Sequence, residues 1–173
     1  SWWVLIYVAS FLFWVVCYIF TARLNEKEFW FRFVTADLLS RTVCGVIFII
    51  LPTTNVRPEL AMDSVWDVML SIIYRLDMPY DLFPSIHCII SLLCYLGLHK
   101  SDKISAKTKT GVLIFALLIF ASTQFTKQHY IVDVISGVIL TLLCYNIAMR
   151  TDLYKPVMAV FERINEKLFR GMN

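Results

Sequence analysis

The sequence predicts an all-α fold: a polytopic helical membrane bundle of about five to six transmembrane helices plus an interfacial helix. Three observations lead there. The chain has 173 residues, 59% of them hydrophobic, against about 45–50% apolar in soluble domains. The excess falls into long runs separated by short charged stretches, the pattern of helices that cross a bilayer. The five prolines all lie at the ends of those runs or between them, where they interrupt no helix. A single membrane-embedded domain over residues 1–173 accounts for the whole pattern.

The elements follow in order. Residues 2–20 are long enough to span, and Trp2 and Trp3 suit an interfacial anchor. This run is too long and too aromatic for a cleavable signal, and no basic stretch precedes it. The chain does not begin with Met, so a preceding segment, such as one more span, is expected. Residues 33–52 form the second span, with Asp37 and Arg41 at pairing distance four apart. In 60–76, Trp66, Met69, Leu70 and Ile73 recur at helical spacing beside Asp63 and Asp67. That is an amphipathic helix lying at the interface or packed over the bundle. Residues 84–99 and 111–126 are short for spans, so their ends must lie near the surface or borrow from the loops. Residues 130–149 complete the set. Cys17, Cys44, Cys88, Cys94 and Cys144 all fall within spans, without metal-binding or redox spacing, and read as small buried hydrophobes.

Charge sets the orientation. Twelve of the sixteen Lys and Arg residues fall in 21–32, 100–110 and the tail 150–173, the last of them Arg170. The opposite side, 53–83 and 127–129, holds Arg57, Arg75 and Lys127. The positive-inside rule places the basic side and the C-terminus in the cytoplasm. The basic tail is then topology and headgroup contact, and nucleic acid is excluded as a partner. The expected setting is an integral protein of the cell membrane, in contact with its lipids; nothing in the sequence fixes an oligomeric state.

Two stretches on the outer side carry chemistry, "DLFPSIHCII" (81–90) and "TKQHYIVDVISG" (126–137). One helical hairpin separates them, so the chain returns His129 to about the depth of His87. Asp133 follows His129 by four residues and stacks on the same helical face. A carboxylate there can hold one imidazole nitrogen and leave the other as a basic lone pair. An Asp within a span costs about 2.5–3.5 kcal/mol at the bilayer centre and less near the surface, so it is by default a functional residue. Pro84 and Ser85 open a helix whose free N–H groups attract anions. With Arg57 and Lys127 nearby, the set suits a tetrahedral oxyanion and phosphoryl transfer.

These residues resemble the type 2 phosphatidic acid phosphatase superfamily. Its pattern is Lys-x6-Arg-Pro, Pro-Ser-x-His and Ser-Arg-x5-His-x3-Asp, and the matching positions run from 57 to 137. The resemblance implies a nucleophilic His129 that forms a phosphohistidine, an orienting Asp133, and His87 as the acid that protonates the leaving alcohol. It implies phosphate contacts from Arg57 and Ser85, and Ser122 matches the serine of the third motif. Known members use no metal or other cofactor. Two positions depart: Ile50 stands where the family has Lys, and Thr123 where it has Arg. Lys127 is positioned to replace one of these cations.

The expected activity is hydrolysis of a lipid phosphate or pyrophosphate monoester at the outer face, with the catalytic portion at about 53–149. The departures also bring the chain near the sphingomyelin-synthase-like branch, whose members transfer the headgroup to a lipid alcohol. Two further readings use the same residues. One is a non-enzymatic channel, transporter or scaffold with a degenerate site. The other is a metal site of His87, His129 and Asp133, since three N/O ligands can bind zinc with one position open.

Overall fold

The computed structural model describes residues 1–169; Arg170 lies outside them. Among the described residues the chain folds into seven helices: α1 (Trp3–Leu24), α2 (Lys27–Ile50), α3 (Val65–Leu76), α4 (Ile86–His99), α5 (Ala106–Phe125), α6 (Ile131–Arg150) and α7 (Tyr154–Phe169). Four of them, α1, α2, α5 and α6, are long and apolar enough to cross a membrane, and α4 is a shorter apolar helix. The all-helical class and the five apolar segments are as the sequence predicts.

Local chemistry places the helix ends. Ser64, Ser85 and Ser105 cap α3, α4 and α5, each accepting the backbone N–H three residues on. At α6 the Asp133 carboxylate accepts the Tyr130 N–H at 2.8 Å. The Asp133 N–H bonds back to the Tyr130 carbonyl at 3.0 Å. The far end of α6 is closed by Arg32, which donates to the carbonyls of Ala148 and Thr151 at 3.0 and 2.6 Å.

The bundle is held by close packing, because lipid supplies no hydrophobic drive between helices. Along α2, Ala36, Ser40 and Cys44 recur every four residues and are fully buried or nearly so. They face the small residues Thr141, Cys144 and Ala148 of α6, also buried, and α2 and α6 lie against each other along their length. The hydroxyls on this seam bond within their own helices, Ser40 to Ala36 O and Thr141 to Gly137 O, both at 2.7 Å.

Short α4 is the hub. It packs on α1, α2, α5 and α6, and eight of its 14 residues are buried. At the ordinary helical rise it is about 21 Å long, well under the roughly 30 Å hydrocarbon thickness. The sequence-based expectation was that short spans end at the surface or borrow from loops. Helix α5 does borrow, starting at Ala106; α4 does not, because neighbouring helices rather than lipid surround it.

Helix α3 is the predicted amphipathic helix. Leu70 and Ile73 bury against Val4 and Tyr7 of α1, with Trp66 and Met69 beside them. Helix α7 is a second amphipathic helix, within what the sequence reading treated as a basic tail. It leans on α2 through Phe31–Phe161 and through Arg32 stacked 4.2 Å over the Tyr154 ring. Asp37 and Arg41 pair at 2.9 Å, near the middle of α2. All five cysteines are free and buried.

Candidate active site

At the end of the bundle opposite the 100–105 loop, α4 and α6 begin and α5 ends around an open cavity of about 620 Å³. Its polar lining is Arg57, Asp77, Asp81, His87, Gln128 and His129.

Three tethers assemble this end from distant parts of the chain. The Ser85 N–H donates to the Asp133 carbonyl at 3.0 Å, joining the starts of α4 and α6. Their approach depends on Gly137, where a Cβ would lie 2.9 Å from the Ser85 carbonyl oxygen and 3.3 Å from the Cys88 Cβ. The Asn55 amide donates to the Lys127 carbonyl at 2.8 Å, tying the loop after α2 to the turn before α6. The Tyr74 hydroxyl donates to the Thr126 carbonyl at 2.9 Å, adding α3 to the same turn. That turn doubles back because Lys127 takes a left-handed backbone, φ 55°. The N–H groups of Gln128 and His129 then both reach the Thr123 carbonyl, at 2.9 and 3.2 Å.

The two histidines that the sequence places at one depth are neighbours, with ring centroids 5.6 Å apart. His129 Nδ1 lies 3.4 Å from Asp133 Oδ2, within ion-pair range, and both side chains are over nine-tenths buried. The contact is not aligned as a hydrogen bond, and Nδ1 has no other partner. The same Oδ2 takes the Tyr130 N–H, so the helix cap fixes the carboxylate behind the imidazole. Asp133 thus lies on the Nδ1 side of the His129 ring, and His129 lines the cavity.

His87 sits in an aromatic box supplied by α1. Its ring lies 4.7 Å from Tyr7, 5.3 Å from Trp14 and 6.2 Å from Phe11, centroid to centroid. Its Nε2 is buried without a hydrogen-bond partner. Trp14 is itself fixed by its indole N–H to Ser91 Oγ at 2.9 Å, and Tyr7 donates its hydroxyl to Asp77. No sequence motif assigns α1 to the site. The available signal was Tyr7, Phe11 and Trp14 at helical spacing, which an ordinary lipid-facing stripe shares.

Arg57 stacks 4.4 Å over the Tyr74 ring and donates to the Tyr74 carbonyl at 2.9 Å and to the Gln128 side-chain oxygen. Partial burial lowers its pKa, and the Asp77 carboxylate opposes that shift; a guanidinium remains a cation throughout the physiological range. No carboxylate lies within ion-pair distance of it among the described residues. Arg57 Nε and Gln128 Nε2 are buried and unpartnered.

The other sequence-predicted residues lie off the cavity. Ser85 is fully buried and caps α4, and Ser122 is fully buried with its hydroxyl on the Ile119 carbonyl at 2.8 Å. Lys127 is exposed on the turn. Of the two departures, Ile50 is 75% exposed at the end of α2, and Thr123 is buried. Gln128 is the polar residue the sequence reading missed; it sits between Lys127 and His129, and no motif marks it. Among the described residues, no group of three or more His, Cys, Asp or Glu side chains is arranged to hold a metal ion.

Helices long and apolar enough to span a membrane thus bring two imidazoles, a carboxylate and a guanidinium together at one end. The sequence profile of the PAP2 superfamily matches residues 2–147. The chain belongs to that superfamily, the one the motifs indicate, and the match begins at α1, well before the first motif. The superfamily is one of phosphatases, so phosphoester hydrolysis is the general activity. No curated protein and no solved structure matches the chain.

Proposed function

We propose that the protein is an integral membrane phosphatase that hydrolyses a lipid phosphate or pyrophosphate through a phosphohistidine. The observation that carries this reading is the meeting of His87, His129 and the unneutralised Arg57 on one cavity whose buried polar atoms lack partners. Buried polar groups are almost always satisfied, so this cluster is arranged for a ligand with many acceptor oxygens.

In the first step His129 Nε2 attacks phosphorus as the bond to the leaving oxygen breaks. His87, as imidazolium, gives its proton to that oxygen, and Arg57 balances the equatorial charge. In the second step neutral His87 takes a proton from water, the water oxygen attacks phosphorus, and the P–N bond breaks. Asp133 stabilises the positive charge on His129 throughout. Ser85 caps the helix that carries His87, and Ser122 and Lys127 lie at and beyond the end of α5, off the cavity. Placement within an apolar bundle favours an amphiphilic substrate, and the distribution of basic loops favours the outer face of the cell membrane, with the C-terminus in the cytoplasm.

The replacements at Ile50 and Thr123 favour a second reading, in which the phosphohistidine passes its phosphoryl group to a lipid alcohol. The test is phosphate release from a panel of lipid phosphates in detergent with a strong chelator, wild type beside His129→Ala. Release by the wild type and none by the variant is expected. Equal release by both would remove His129 from the mechanism. A phosphorylated alcohol in place of inorganic phosphate would select the transferase.

A further inference from the structure

We infer that the cavity is built for a phosphoryl group carrying a single negative charge, with the Gln128 amide as its second donor beside Arg57. The inference rests on the phosphoryl site proposed above and specifies the ligand's charge state.

Three observations carry it. First, Arg57 is the only Lys or Arg lining the cavity among the described residues, and two carboxylates, Asp77 and Asp81, line it as well. Lys127 is turned to the surface, Ile50 is exposed, and Thr123 supplies no charge. A second negative charge on the ligand would thus meet carboxylates without a second Lys or Arg to balance it once the His87 proton is committed to the leaving oxygen, and like charges at close range disfavour ionisation. Second, Gln128 is 3% exposed, and its oxygen accepts from Arg57. Gln128 lines the cavity, and its Nε2 is buried without a partner. An amide in that position donates to a phosphoryl oxygen without adding charge. Third, the hydrogen bonds of Arg57 go to neutral groups, the Tyr74 carbonyl and the Gln128 amide, and no carboxylate pairs with it among the described residues.

The shared chemistry has two sources: a phosphodiester, singly charged at every physiological pH, or a phosphomonoester that keeps one proton. Two non-hydrolysable probes separate charge from identity: decylphosphonate, which loses its second proton near neutrality, and its monomethyl ester, which has no second proton. Binding of each to the detergent-solubilised protein is measured by calorimetry across that ionisation. The groups facing the ligand (Asp77, Asp81, Tyr80, His87 and His129, with Asp133 behind and Tyr7 beside) act on both probes, so the ratio of the two affinities reports ligand charge.

The expected result is that the phosphonate weakens relative to its ester by about tenfold per pH unit above its second ionisation, because only the singly charged fraction binds. In Gln128→Arg, a second cation should flatten or reverse that trend; Arg57→Gln should weaken both probes. A wild-type ratio that stays level or favours the doubly charged phosphonate overturns the inference, as does the failure of both probes to bind. The outcome is independent of turnover. The expected ratio without phosphate release would spare the charge assignment and remove the phosphatase reading. Phosphate release with tighter dianion binding would do the reverse. A phospholipid diester and a lipid phosphate, compared as substrates, then identify the source.

Discussion

The carboxylate of Asp133 meets two groups at once, the Tyr130 N–H that opens α6 and the Nδ1 of His129. The roles separate by substitution. Asp133→Asn keeps an oxygen for the cap but no charge for the imidazolium. Turnover should fall by about 10²–10⁴-fold, as when an orienting carboxylate is neutralised elsewhere, with thermal stability nearly unchanged. Asp133→Ala should lose the same activity and, in addition, about 1 kcal/mol of stability with the cap. Steady-state rates beside melting curves check both. The sequence predicts His129 and Asp133 on one helical face; they do meet, but His129 lies on the turn before α6, and the Tyr130 cap rather than helical stacking holds the carboxylate behind it. Gln128 was not legible in the sequence, because what singles it out is an unpartnered amide nitrogen, which only the folded turn creates. Lys127 read as a phosphate ligand from its position beside His129. The left-handed backbone at 127 instead makes it the outer corner of the turn.

At the scale of elements, the site depends on how closely α4 and α6 approach. Gly137 permits that approach, and Gly137→Ala would drive a methyl group into the backbone of Ser85. The helix starts must then separate, moving His87 from His129. A loss of about 1–3 kcal/mol is expected from overpacking, with activity falling more steeply than stability; thermal unfolding and phosphate release on one preparation compare the two. The apolar runs made the five span-like helices legible to within a few residues. The short length of α4 was legible too, but its meaning was not: a sequence shows a span's length, not whether lipid or protein surrounds it. The role of α1 was hidden for a related reason. Tyr7, Phe11 and Trp14 look like any membrane-facing aromatic stripe until His87 is found among them.

For the whole molecule, basic loops at one end and the cavity at the other predict an orientation that can be tested directly. The native cysteines are all buried, so single exposed cysteines report sidedness. In intact cells a membrane-impermeant maleimide should label Met62→Cys, and should label Asp102→Cys only after permeabilisation; the opposite pattern would invert the topology. In the proposed mechanism the reaction lies at one end of the bundle, with the proton donor His87 on the hub helix α4 and the nucleophile His129 on the turn that leads into α6. The most direct measurement is capture of the covalent intermediate. Protein is mixed with a lipid phosphate labelled in its phosphoryl group, quenched in alkali within the first turnover, and examined for protein-bound label. The expected result is label that is stable to alkali, lost in acid, present in the wild type and absent from His129→Ala. Equal label on the His129→Ala protein, or rapid turnover by the wild type with no label at any quench time, would contradict the phosphohistidine at His129.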